Sequence, residues 1–146
     1  MVKVGDVLFL FVDDTTPPKK KYFFVLGESE GQISLASFYV NSDINLNIHN
    51  NPVLVKFNIE LDPTDYPFLH HKSYLDCTKM IIRDKSEYDD IVKVRPEAIV
   101  YTLTSEQLEF FRQIIREVPT IKGKIIKKFG FYDREYCFKI NKAILE

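Results

Sequence analysis

Five consecutive residues, His70, His71, Lys72, Ser73 and Tyr74, stand directly behind an acidic turn and a proline in the stretch DYPFLHHKSYLDC, residues 65–77. The stretch holds two of the chain's three histidines and one of its two cysteines. A zinc site from His70, His71 and Cys77 would need converging side chains. Neighbours on a strand point to opposite faces, and no second Cys or His lies at ligand spacing, so no metal is expected. A Ser-His or Cys-His nucleophile would need an activating turn or helix N-terminus, and neither a GxSxG turn nor a helix directly behind Cys77 is present. Cys77 therefore reads as a small core residue. Ser73 is better placed, beside His71 and Lys72 where a turn enters a strand, but its hydroxyl equally serves to cap the backbone left open by Pro67. Paired carboxylates for glycoside chemistry could come from Asp62, Asp65 and Asp76, although turn formation accounts for the first two.

A second group is basic. Lys19, Lys20 and Lys21 run straight into Tyr22, Phe23 and Phe24. Most charge runs are solvated loop tips, yet cations beside aromatic faces also suit single-stranded nucleic acid. Lys122, Lys124, Lys127 and Lys128 form a further cluster. With 20 Lys and Arg against 21 Asp and Glu, the net charge of −1 supplies no global attraction to nucleic acid or to an anionic membrane, so a polyanion site must be a local patch.

The elements that must position these groups are mostly strands. A chain of 146 residues, 45% hydrophobic, fits one domain over residues 1–146. Twelve Phe and eight Tyr without Trp favour pleated surfaces. The run Val7 to Val12 reads as a buried strand; it is too short for a signal sequence or a membrane span, so a cytoplasmic protein with no membrane partner is expected. TTPPKKK reads as a basic loop outside the ladder, because prolines lack amide protons and lysines repel. YFFVLGES and ISLASFYV follow as a hairpin, Asn41 to Asn51 as a loop, PVLVKFNIEL as a fourth strand, and Lys72 to Ile82 as a fifth. An amphipathic helix is expected from Ser105 to about Val118, with a shorter one between Thr120 and Gly130. The tail from residue 131 suits a strand or a helix. Five to seven strands and a C-terminal helix suggest a small mainly-β barrel, SH3-like, in which curling removes exposed edges.

The succession VGDVLFLF, a basic loop, KKYFFVLG, ISLASF and YPFLHHKSYLDC resembles the MazF/PemK class of growth inhibitors, in particular a divergent branch with an acidic turn, His-Pro-Phe and then Ser-Tyr. The likeness covers roughly residues 4–128. It implies an SH3-like barrel with a C-terminal helix, usually a homodimer, that cleaves single-stranded RNA without metal or cofactor and is held by a small antitoxin protein. The class's Gly-Asp falls on Gly5 and Asp6, and its Ser-Tyr on Ser73 and Tyr74. Its Arg-Pro falls on Lys21 and Tyr22, its strand-end hydroxyl on Ser37, and its His-Pro-Phe on Tyr66, Pro67 and Phe68. The exchange of Arg for Lys is not conservative, because a planar fork that binds phosphate with two donors becomes a point charge.

Metal-free cleavage needs a base for the 2′-hydroxyl, an acid for the leaving oxygen and donors for the phosphorane charge. The resemblance supplies Lys21, Ser37 and Ser73 for these roles, and His70 and His71 join them as catalytic candidates because imidazole is the usual proton carrier near neutral pH; Lys19, Lys20, Tyr22, Lys72 and Tyr74 are the candidates for binding RNA. The rival is a non-catalytic barrel that binds protein or nucleic acid, since a fold does not fix a function. The missing Arg-Pro favours that rival.

Overall fold

A computed structural model describes residues 1–12, 19–44 and 51–133. In chain order its elements are β1 (Asp6–Val12), β2 (Lys19–Glu28), a 3-10 turn (Glu30–Gln32), β3 (Ser34–Asn41), α1 (Pro52–Val55), β4 (Asn58–Leu61), β5 (Ser73–Asp76), β6 (Ile81–Asp84), α2 (Lys85–Val94), a second 3-10 turn (Pro96–Ala98), β7 (Ile99–Thr102), α3 (Ser105–Ile115) and α4 (Gly123–Lys128). The strands are antiparallel and run in the order β4-β5-β3-β2-β1-β7. β6 pairs with the first half of β3 while β5 pairs with its end, so the sheet branches there. Register shifts at Val7/Leu8 and Val25/Gly27 add local bends. The product is a curled, mainly-β half-barrel with helices. Among the described residues no helix is long and apolar enough to cross a membrane.

The central strands are buried on both faces, which is why their sequences run almost continuously apolar. Val7, Phe24, Leu26, Ala36, Phe38 and Val40 face the larger core, where Leu108, Phe111 and Ile115 of α3 pack with Ile126 of α4. Leu8, Leu10, Val12, Phe23, Val25 and Leu35 face a second core covered by Tyr88 and Val92 of α2. The barrel-with-helix expectation holds, although β4 and β7 do not pair with each other among the described residues, so the sheet is curled without being closed.

Several elements differ from those expected. Lys19, Lys20 and Lys21 do join the ladder, opposite Val12, Phe11 and Leu10. The lysines face apolar partners rather than one another, and alternation sends them to opposite sides of the strand, so the expected repulsion does not arise. PVLVKFNIEL divides into α1 and β4: the Asn51 side chain accepts from the Val53 amide and Pro52 opens the helix. Lys72 to Ile82 divides into β5 and β6, because Asp76 Oδ1 accepts from the Thr78 amide at 2.9 Å and turns the chain. α3 stops at Ile115, and α4 is shorter than the Thr120–Gly130 span. The Asn-rich loop lies partly, and the tail almost wholly with Cys137, outside the described residues.

Ser37 and Tyr88 are both fully buried and share a 2.8 Å hydroxyl contact that ties β3 to α2, while Ser37 Oγ also donates to the Ile81 carbonyl at 3.3 Å. Burial raises the Tyr88 pKa, opposed by the bond with Ser37, so the phenol is neutral at physiological pH. Tyr88→Phe removes one buried hydrogen bond without opening a cavity. A loss of about 1 kcal/mol in urea denaturation is the expected result.

Candidate nucleic-acid interface

Pairing of β1 with β2 places Phe9 opposite Tyr22 and Phe11 opposite Lys20, and strand alternation puts all four side chains on the same face. The Phe9 and Tyr22 rings stack at 4.5 Å with 23° between planes. Tyr22 lies 5.0 Å from Phe68, and its hydroxyl donates to the Phe68 carbonyl at 3.2 Å. Phe68 continues the row to Tyr101 at 5.3 Å. Lys20 Nζ is 5.6 Å from the centre of Phe9 and 5.2 Å from that of Phe11. Phe11 is 53% exposed, whereas Phe9, Tyr22, Phe68 and Tyr101 are half-buried. Burial raises the Tyr22 pKa, so the phenol is neutral, and the ring of this row that is open to solvent is that of Phe11. A cation above a row of aromatic rings can stack bases and neutralise phosphate.

The other sequence-derived candidates divide among different surroundings. Lys19 and Lys21 point to the opposite face from Lys20, and Lys21 Nζ donates to Asn41 Oδ1 at 2.9 Å. Ser37, 0% exposed beneath Tyr88, reaches no surface. His70 and His71 are exposed, but they precede β5 instead of lying in it, so strand alternation does not govern them. His71 Nδ1 lies 2.9 Å from the Lys72 carbonyl and 3.4 Å from Ser73 Oγ, and that hydroxyl donates to the His71 carbonyl at 3.1 Å. Ser73 itself is buried and opens β5 against Leu61. Lys72 pairs with Glu60 at 3.2 Å, and this hydrogen bond raises its pKa. Tyr74 is half-buried, with Asn41 and Glu60 as its cross-strand neighbours. The structure therefore does not gather Lys20, Lys21, Ser37 and the histidines around one phosphate.

Tyr66, at the position of the class's histidine, is buried, and its pKa is pushed up to about 12 by burial and then by Asp65 and Tyr101. It cannot exchange a proton usefully near neutral pH. Burial likewise pushes the Cys77 thiol up, which keeps it protonated and inert. Asp6 is buried and accepts from the Lys3 amide at 2.9 Å, while Gly5 takes φ +100, a region that favours glycine. The Gly-Asp pair is thus structural. Among the described residues no group of three or more His, Cys, Asp or Glu could hold a metal ion.

Phe9, Phe11 and Phe68 were not among the residues singled out from the sequence for binding. Phe9 and Phe11 sit in an apolar run that reads as core, and only their partners on β2 show which of its residues reach the surface. No family profile matches the chain, and no curated protein matches it.

Proposed function

We propose that this chain is a non-catalytic half-barrel that binds single-stranded RNA on the Phe9–Tyr22–Phe68 face, with Lys20 meeting the backbone. The observation that carries this reading is the row of Tyr22 stacked on Phe9 and the exposed Phe11, with the Lys20 ammonium over the Phe9 and Phe11 rings. Stacking tolerates any base, so the surface suits an unpaired strand without strict sequence preference. The choice of RNA rests on the resemblance to the MazF/PemK class. The dispersal of Lys20, Lys21 and Ser37 favours binding over cleavage.

One observation favours the ribonuclease reading. A carbonyl only accepts, so the contact with Lys72 places the proton of neutral His71 on Nδ1 and leaves Nε2 as a base. That reading brings with it the small antitoxin and the homodimer of the class.

The test is fluorescence anisotropy with a labelled, unstructured RNA, followed by gel analysis of the RNA. Wild-type protein is expected to bind and leave the RNA intact. Phe11→Ala is expected to weaken binding roughly 5- to 150-fold, corresponding to about 1–3 kcal/mol for a lost stacking contact, with an unchanged Tm because the ring is exposed. Absence of binding by the wild type overturns the proposal. Metal-independent cleavage lost in His71→Ala would establish the ribonuclease reading instead.

A further inference from the structure

We infer that the cavity between α4 and the 3-10 turn Glu30–Gln32 is a site for a nucleoside triphosphate, whose phosphates meet Lys124, Lys127 and Lys128 while its nucleoside lies toward Glu28, Glu30 and Ile33. This is independent of the RNA-binding reading, because Lys20 and Glu28 stand toward opposite ends of β2, roughly 26 Å apart along an extended strand at about 3.3 Å per residue.

The basic cluster after α3 acquires a hollow to face. Spacings of three and four residues place Lys124, Lys127 and Lys128 on one side of α4, where like charges repel. All three are exposed, and among the described residues none of them forms an ion pair. They line an open cavity of about 1010 Å³, at the upper end of the roughly 300–1,000 Å³ usual for small-molecule sites. Lys122, the fourth member of the cluster, does not line it. An anion held in the hollow relieves the repulsion, and three ammonium groups match a chain of phosphates better than a single carboxylate.

The rest of the lining has a different character. Glu28 ends β2, Glu30 opens the 3-10 turn, and Asp133 adds a carboxylate after α4. Ile33, also in the lining, is 68% exposed. Carboxylates repel a long polyanion, but they accept hydrogen bonds from sugar hydroxyls or a base amino group, and Ile33 offers the base an apolar surface. That division selects a small molecule charged at one end over an RNA strand charged throughout. The two sides are also held in register. The Glu28 amide donates to the Phe129 carbonyl at 3.2 Å, and Arg112 joins the Leu26 carbonyl of β2 to the Gly130 carbonyl, so the end of α4 is tied to β2 before any ligand arrives.

Isothermal titration calorimetry of the full chain with ATP, adenosine and inorganic tripolyphosphate reads both halves of the site. ATP should bind most tightly, with adenosine and tripolyphosphate each weaker by roughly tenfold or more, since each reaches only part of the lining. Lys124→Ala and Lys127→Ala should each weaken ATP roughly tenfold, the loss for one charge-assisted contact, with an unchanged Tm because both side chains are exposed. Lys122→Ala removes the same charge outside the cavity and should leave ATP affinity unchanged. ATP binding that Lys124→Ala and Lys127→Ala do not weaken, or that Lys122→Ala weakens equally, overturns the site. Tripolyphosphate that binds as tightly as ATP overturns its assignment to a nucleotide. Wild-type protein that binds none of the three overturns the inference, while the RNA-binding proposal, made for the other end of β2, stands.

Discussion

Arg112→Met is expected to destabilise the folded chain by about 2–6 kcal/mol, since two buried backbone carbonyls lose their donor at about 1–3 kcal/mol each. Arg112 is 1% exposed in the last turn of α3. Its Nη1 donates to the Leu26 carbonyl at 2.8 Å and its Nη2 to the Gly130 carbonyl, while the guanidinium lies 5.1 Å from the centre of Phe131. One side chain thereby joins α3 to β2 and to the turn after α4. Methionine keeps much of the aliphatic volume but removes donors from carbonyls that stay buried, and each such loss costs about 1–3 kcal/mol. An apolar replacement can be neutral when both partners change, but these backbone acceptors cannot be changed with it. Glu28 supplies a second readout. Burial raises its pKa, and Lys85 and Arg112 pull it back down. A carboxyl with a raised folded pKa destabilises the fold as pH climbs from the unfolded value through the folded one. Loss of Arg112 raises that folded value further, so the deficit in urea denaturation should be larger at pH 7 than at pH 4. An equal deficit at both values would show that Glu28 does not sense Arg112.

The sequence disclosed an element wherever local chemistry and tertiary burial agreed. β1 and β3 are apolar runs between turn residues, and both appear within a residue or two of their expected limits. The helix from Ser105 starts where expected, although its capping box is made by Thr104 and Gln107. α2 went unrecognised because KSEYDDIVKV is mostly charged and buries only Tyr88 and Val92. PVLVKFNIEL alternates well enough for a strand, and a side-chain cap at its first residues decided otherwise. The candidate site was legible only in part. Lys20 beside Tyr22 was visible, since both stand in the run KKKYFF. Phe68 enters the strip by a return of the chain from 46 positions away. The burial of Ser37 depends on Tyr88, 51 residues later, so nothing near Ser37 in the sequence could signal it. The lysines were separated by alternation, a property of the strand that a loop assignment had hidden.

Gly27→Ala is the second substitution with a large expected effect. A Cβ at Gly27 would stand 2.7 Å from Phe131 Cε2 and 2.8 Å from the Phe129 carbonyl oxygen. The oxygen cannot retreat freely, since it accepts from the Glu28 amide at 3.2 Å, and the Phe131 ring is packed edge-on against Phe38 at 6.3 Å. Gly27 also sits at the register shift that bends β2. Overpacking of this kind costs about 1–3 kcal/mol, and two unyielding neighbours place Gly27→Ala near the upper end. Gly123→Ala is the matched control. A Cβ there meets nothing within 4 Å, and the position is the first residue of α4, so the same substitution should stabilise by about 0.4–1 kcal/mol through the unfolded chain. Chemical denaturation of the two variants should therefore give opposite signs. Gly27 lies toward the end of β2 remote from Lys20 and Tyr22, so the folded fraction of Gly27→Ala should bind RNA with wild-type affinity. A folded Gly27→Ala protein with weakened RNA binding would instead mean that the bend at Gly27 helps align the Phe9–Tyr22–Phe68 rings.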